Sequence, residues 1–128
     1  MDQPIQATLY ERAGGDEFFH ALVARFYKAV AEDPLLRPLY PEDMAPGAFN
    51  LAEFLIQYWG GPGRYNARRG HPRLRMRHVP FAIHRAERDA WLGHMSDAVR
   101  ASGAPPEIVD ELLAYFDMAS SSLINQPG

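Results

Sequence analysis

The sequence predicts an all-α fold in one domain. Apolar residues recur at three- and four-residue steps in several separate stretches. Strand-type alternation is absent, and Gly and Pro clusters divide one stripe from the next. The 128 residues suit a single domain over 1–128, with 1–7 and 124–128 expected as flexible ends. A chain of this size buries roughly two-thirds of its unfolded surface, enough for a real core.

Taken in order, Thr8-Leu9-Tyr10-Glu11 has capping-box spacing, and Gly14-Gly15 stops the short helix it opens. Asp16 is placed to cap the next helix. Phe19, Leu22, Val23, Phe26, Tyr27 and Val30 form its stripe, and Asp33-Pro34 ends it, because the residue before proline is pushed out of the helical region. Leu35 to Tyr40 reads as a turn or two, and Pro41 to Ala45 as a loop. The next stripe is Ala48, Leu51, Ala52, Leu55 and either Tyr58 or Trp59, stopped by Gly60-Gly61-Pro62-Gly63. From there to Gly70 no periodicity is evident. Pro72 suits the first turn of a short helix running to about His78, broken by Val79-Pro80. A long helix follows over roughly His84 to Ser102, with Ala90 or Trp91, Met95, Ala98 and Val99 inward and Gly103 as its end. Pro105-Pro106 opens a last helix with Ile108, Val109, Leu112, Tyr115 or Phe116, and Ala119 inward. No internal repeat is present.

Composition excludes several function classes. Hydrophobic residues at 47% and charged residues at 23% are ordinary for a globular domain and argue against disorder. A net charge of -3 gives no reason to expect nucleic acid or an anionic membrane as partner. With no cysteine there is no disulfide framework, thiolate nucleophile or zinc–thiolate site. Met1-Asp2-Gln3-Pro4 lacks the basic-then-apolar pattern of a signal peptide, and no apolar run approaches the roughly 18 residues of a membrane span. A cytoplasmic location is therefore expected. Charge is uneven, however. Six of the 13 cationic side chains are Arg64, Arg68, Arg69, Arg73, Arg75 and Arg77, and no Asp or Glu occurs between Glu53 and Glu87. This stretch is either a solvated loop or an anion-capturing one, since the guanidinium fork suits carboxylates.

The candidates for chemistry are histidines and polar-tipped aromatics. None of His20, His71, His78, His84 and His94 belongs to a His-Glu-x-x-His zinc motif. Most histidines are simply hydrogen-bonded. His78 differs in setting, since it ends a short helix against Val79-Pro80, between arginines and apolar Phe81. Tyr27, Tyr40 and Trp91 lie on or beside core stripes, where buried Tyr and Trp commonly pack with the polar tip satisfied. If they converge, they make a hydrogen-bonding cage. Spacing alone does not say whether they do.

Three longer pieces carry a family resemblance. Arg25-Phe26-Tyr27 is followed by Ala31-Glu32-Asp33 and Leu39-Tyr40-Pro41-Glu42-Asp43. Gln57-Tyr58-Trp59-Gly60-Gly61-Pro62 comes second. Arg69-Gly70-His71-Pro72-Arg73-Leu74-Arg75-Met76-Arg77-His78 comes third, continued by Pro80-Phe81 and Glu87-Arg88-Asp89-Ala90-Trp91-Leu92. In order and spacing, from about Leu9 to Leu123, this resembles the truncated haemoglobins of the second group, which carry a tryptophan in the distal pocket. The resemblance implies a two-over-two helical sandwich around haem b (iron protoporphyrin IX), with His78 as the proximal iron ligand and the opposite position open to a gas. His71 is the rival to His78.

The resemblance makes Tyr27, Tyr40 and Trp91 the distal hydrogen-bond donors. A dioxygen ligand that draws negative charge accepts strong hydrogen bonds, and more so in a dry pocket. Gly47 corresponds to the position of the histidine gate of ordinary globins, and Leu51 to the next inward position. Both leave the oxygen to Tyr40 and Trp91, with Tyr27 behind or beside. For the haem propionates the candidates are Tyr65, Arg69 and Arg77. For the haem walls they are Phe54, Leu55, Phe81, Met95 and Met118. Two departures matter: the family often has a basic residue where Asn50 stands, and usually alanine where Gly47 stands.

The function implied is binding of O₂, CO, NO or peroxide, with redox chemistry on the bound gas in the form of NO dioxygenation or peroxidase-type turnover. Oxygen transport or storage suits a strongly caged ligand less well. Sustained dioxygenation needs electrons, and with no dinucleotide fingerprint in the chain a separate reductase is required. The alternatives are a gas-binding sensor or scavenger without turnover, and a haem-free helical module docking through its arginines.

Overall fold

The structure is a computed structural model and describes residues 7–70 and 83–122. Among them every regular element is helical: α1 (Leu9–Ala13), α2 (Gly15–Ala31), a 3₁₀ turn (Arg37–Leu39), α3 (Ala45–Tyr58), α4 (Arg64–Arg69), α5 (Arg85–Arg100) and α6 (Pro106–Ser122). The expected short helix over Pro72 to His78 lies outside the described residues.

Local chemistry sets most boundaries. The Thr8 hydroxyl accepts from the Glu11 backbone N–H at 3.2 Å, as the capping-box spacing predicts. Gly14, at φ 125°, closes α1 and opens α2 in one residue, a conformation glycine adopts without penalty. Because α2 starts at Gly15, Asp16 falls inside its first turn and is not the expected N-cap. Its carboxylate is used elsewhere, as described below. Gly60 has φ 100°, and a Cβ there would stand 2.6 Å from Thr8, so only glycine lets the chain leave α3 this close to the start of α1. Arg64–Arg69 is helical although no period marked it. Six residues are too few for a stripe to show, and of these only Tyr65 is buried.

The long helices pack as two pairs, α2 against α3 and α5 against α6, and α2 also packs on α5. Their stripes meet in one core of Phe19, Leu22, Phe26, Leu55, Met95 and Phe116 with their neighbours. Each such fully buried side chain contributes roughly 1.5–3 kcal/mol relative to exposure. Two of the open choices in the stripes resolve by burial, while Ala90 and Trp91 are both partly buried against the core. Trp59 is partly buried while Tyr58 is 49% exposed, and Phe116, not Tyr115, is the residue fully inside. Among the described residues no helix is long and apolar enough to cross a membrane.

One charged network ties these elements together. Arg64 donates to Asp16 and to buried Glu53, both at 2.8 Å, and the Tyr10 hydroxyl donates to the same Asp16 oxygen at 2.7 Å. Arg64 is thus matched to two carboxylates that lie outside the acid-free stretch of sequence.

Candidate functional site

Three elements bring Tyr27, Tyr40 and Trp91 together. Tyr27 stands on α2 beside fully buried Phe26, whose ring meets Tyr27 edge-on at 5.5 Å and Trp91, on α5, at 5.1 Å. Tyr40 follows the 3₁₀ turn and meets the Tyr27 ring edge-on at 5.6 Å. Edge-on pairs of this kind each contribute about 0.5–1.5 kcal/mol beyond area burial, so the cluster holds its own geometry.

The loop carrying Tyr40 is held by Arg37, which no sequence motif marks. The Arg37 guanidinium donates to the backbone carbonyls of Tyr40 at 3.2 Å, Pro41 at 3.0 Å and Glu42 at 3.1 Å. Only the fold shows this, because an arginine in a turn carries no signal of its partners. On the same side, His94 on α5 lies 2.7 Å from Asp33 at the end of α2, and Asp33 also accepts from the Leu35 backbone N–H at 2.8 Å. Those contacts, His94 foremost, hold the Asp33 carboxyl below its usual range.

The electrostatics of the cluster favour neutral donors. Burial pushes the Tyr27 phenol up to about 12. Burial pushes Tyr40 higher still, the neighbouring Tyr27 adds to this, and the indole N–H of Trp91 directed at the Tyr40 oxygen offsets part of it. Both phenols therefore stay protonated at neutral pH and present O–H donors inside an apolar wall. The Tyr27 hydroxyl lies against Gly47 on α3, 3.1 Å from where a Cβ would stand. Leu51, one turn further along α3, is partly buried against the core.

The residues expected at the haem walls and propionates are more dispersed. Phe54 and Tyr65 are buried and meet edge-on at 5.6 Å, and the Arg69 guanidinium sits 5.9 Å from the Tyr65 ring centre. Leu55 and Met95 are wholly enclosed in the core, and Met118 is 60% exposed on α6. Where a basic residue was expected, Asn50 instead accepts from Arg68 at 3.2 Å, and the same guanidinium lies 4.8 Å over the Phe49 ring. A cation thus stands beside this position, reached from α4. His78, Arg77 and Phe81 lie outside the described residues, as does His71.

The described histidines have other occupations. His84 pairs with Glu87 at 2.9 Å, His94 with Asp33, and the His20 ring packs 5.8 Å from that of Phe49. Among the described residues no cluster of His, Cys, Asp or Glu could hold a metal ion.

The helix pairs and the caged trio define a class of protein, and comparison places the chain within it. Residues 8–125 match the model of the bacterial-like globin family. The group 2 truncated haemoglobin YjbI of Bacillus subtilis is 41% identical over 126 residues, covering 98% of this chain and 94% of the relative. The crystal structure of a thermostable haemoglobin from the actinobacterium Thermobifida fusca superposes with a TM-score of 0.93 at 49% identity, covering 95% of this chain and 100% of that one. The group II truncated haemoglobin of Bacillus anthracis superposes at 0.92 with 35% identity, over 99% and 96% of the two chains. The chain belongs to the bacterial-like globins and, within them, to the group II truncated haemoglobins. Membership implies that it binds haem and a small gas such as O₂.

The residues present fit that group. Two neutral phenols and an indole N–H gathered in an apolar setting suit a small polar ligand that accepts hydrogen bonds. Arg68 and Arg69 on α4 supply cations of the kind haem carboxylates need.

Proposed function

We propose that the chain holds haem b through His78 and carries out redox chemistry on the gas bound opposite, either NO dioxygenation or reaction with peroxide, drawing electrons from a separate reductase in the cytoplasm. One observation carries the reading: Tyr27, Tyr40 and Trp91 converge from three elements with their donors kept protonated. Haem supplies the metal on which the gas binds. The protein supplies orientation, dryness and hydrogen bonds. Tyr40 is the principal donor, and its interaction with Trp91 favours donation by offsetting part of the upward push of burial on the phenol. Tyr27 stands against Gly47, and Arg37 fixes the backbone that carries Tyr40.

His78 is supported by what the other histidines do, since His84 and His94 face carboxylates and His20 packs on an aromatic ring. Arg69 and Tyr65, with Arg77, are the groups for the propionates, and Phe54 and Phe81 the wall. A strongly held ligand leaves slowly, which suits turnover on the bound gas better than delivery. In the dioxygenation, NO, O₂ and one electron from the reductase yield nitrate. The test is to mix the oxygen-loaded protein with NO. Nitrate in equimolar yield, sustained once a reductase is present, is expected. Release of O₂ without nitrate would leave a gas-binding module and sink the dioxygenation.

A further inference from the structure

Trp91 and His94 stand three residues apart on α5 and so share one face of that helix. His94 meets the start of the segment that carries Tyr40, its Nε2 lying 2.7 Å from Asp33 Oδ2. Trp91 meets the other end, where it interacts with the Tyr40 phenol. Between these two points the chain is braced. The second Asp33 oxygen accepts from the Leu35 backbone N–H, and the Arg37 backbone N–H donates to the Asp33 carbonyl, both at 2.8 Å. Leu36, only 1% exposed, anchors the turn in the core. The Leu39 N–H donates to the Leu36 carbonyl at 2.9 Å, and the Tyr40 N–H to that of Arg37 at 3.1 Å. The Arg37 guanidinium then holds the carbonyls of Tyr40, Pro41 and Glu42. A closed circuit thus runs from α5 through His94, Asp33 and the turn to Tyr40, and back to α5 at Trp91. We propose that the Asp33–His94 pair is a positioning device: it sets where the Tyr40 phenol stands relative to Trp91, and so how strongly the pocket favours O₂ over CO.

The chemistry of the pair suits that task. A carboxylate only accepts, so the His94 nitrogen facing Asp33 carries the proton and donates it. Hydrogen bonds to ionised groups are about twice as strong as neutral ones, and both side chains are partly shielded from water. An exposed pair such as Arg12–Glu111, at 3.7 Å, holds its partners far less firmly. The effect on the ligand is selective. Hydrogen bonds are short-ranged and directional, so a small retreat of the phenol forfeits most of the bond. Bound O₂ draws negative charge and depends on that donor, whereas CO carries little charge and does not. Asp33 and His94 act on the ligand only through Tyr40.

The inference rests on Tyr40 as the principal donor, and the experiment separates the two. Haem-loaded protein is compared with His94→Ala, His94→Gln, Asp33→Asn and Tyr40→Phe by O₂ and CO release in stopped-flow and by the infrared C–O stretch of the CO complex. Donors near bound CO lower that stretch, so it reports the position of the phenol without turnover. In His94→Ala, O₂ release is expected to quicken about five- to tenfold, part of the full loss of a charge-assisted bond, with CO release within about twofold. The C–O band should move up and broaden. His94→Gln, whose amide N–H can still reach Asp33, should restore most of both. Asp33→Asn keeps the bond to Leu35 through the other oxygen but offers His94 no carboxylate, and should shift both readouts in the same direction as His94→Ala. Arg12→Ala, which breaks an ion pair between α1 and α6, should leave the band and both release rates at the parent values. Tyr40→Phe that quickens O₂ release, with His94→Ala and Asp33→Asn at parent values, overturns the positioning role and leaves the donor reading standing. Equal acceleration of O₂ and CO in His94→Ala also overturns it, since the pair would then govern access. Tyr40→Phe without effect on O₂ release overturns both.

Discussion

The Tyr27 hydroxyl oxygen lies 3.1 Å from the point where a side chain on residue 47 would begin. Glycine at this position on α3 is what allows the phenol to sit so close, and the resemblance leads one to expect alanine there. Gly47→Ala adds a methyl group that displaces the hydroxyl by a few tenths of an ångström and narrows the approach to the pocket. CO association measured by flash photolysis is expected to slow. Stability should stay within about 1 kcal/mol, since the helix propensity gained by alanine offsets the crowding. Unchanged or faster association would remove Gly47 from the ligand's path.

Trp91 is predicted to act on the ligand through Tyr40 as well as directly, because its only polar group is an N–H donor and its interaction with the Tyr40 phenol offsets part of the upward push that burial gives it. Trp91→Phe keeps most of the ring and its contacts with Phe26 and Phe116. Loss of a hydrogen bond to a charged group costs roughly 1.5–3 kcal/mol. O₂ release in stopped-flow should therefore quicken by about 10- to 150-fold. CO, which carries little charge, should respond far less. Donors that share a partner are not additive, so Trp91→Phe with Tyr40→Phe should exceed Tyr40→Phe alone by less than the single change does. Equal acceleration of O₂ and CO would instead mark the tryptophan as a steric lid.

Iron ligation by His78 predicts that His78→Gly loses haem absorbance, or retains it only when added imidazole fills the space left. His71→Ala should keep the parent spectrum. The reverse pattern would transfer the ligand role to His71.

Much of this fold was legible because long helices write their buried faces into the sequence. Phe19, Leu22, Val23, Phe26 and Val30 recur at helical spacing and are all buried. What could not be read locally are relationships between distant residues. Arg64 lies in a stretch without acids, yet its partners Asp16 and Glu53 reach it from α2 and α3. The same pairing explains why Asp16, a good N-cap by type, is used elsewhere. The trio depends on where a 3₁₀ turn and two helices meet, and Arg37 acts on carbonyls that have no residue-type signature. Burial also separates residues that periodicity treats alike, as with Leu55 in the core and Met118 at the surface.

The Arg64 network gives a prediction for stability and its pH dependence. Glu53 is only 5% exposed, and Arg64 donates to it at 2.8 Å. Arg64→Ala leaves that carboxylate buried without its cation, at a cost of roughly 1–3 kcal/mol, kept from larger values because Arg64 itself is partly solvated and water can enter its place. Arg64 also holds the Asp16 carboxyl below its ordinary range, with Tyr10 second. A carboxylate whose folded value is depressed contributes stability above its unfolded value, and the contribution is lost as pH falls through the folded one. The parent should thus lose stability on acidification below about pH 5, and the variant, which has already lost most of the Asp16 term, should lose less. Urea unfolding at neutral and acidic pH measures both, and the gap between the two proteins should narrow toward acid. Adding Glu53→Gln to Arg64→Ala removes the stranded charge and should recover part of the loss at neutral pH. A double variant no more stable than Arg64→Ala would show that the cost lies in the packing of α4, not in the unpaired carboxylate.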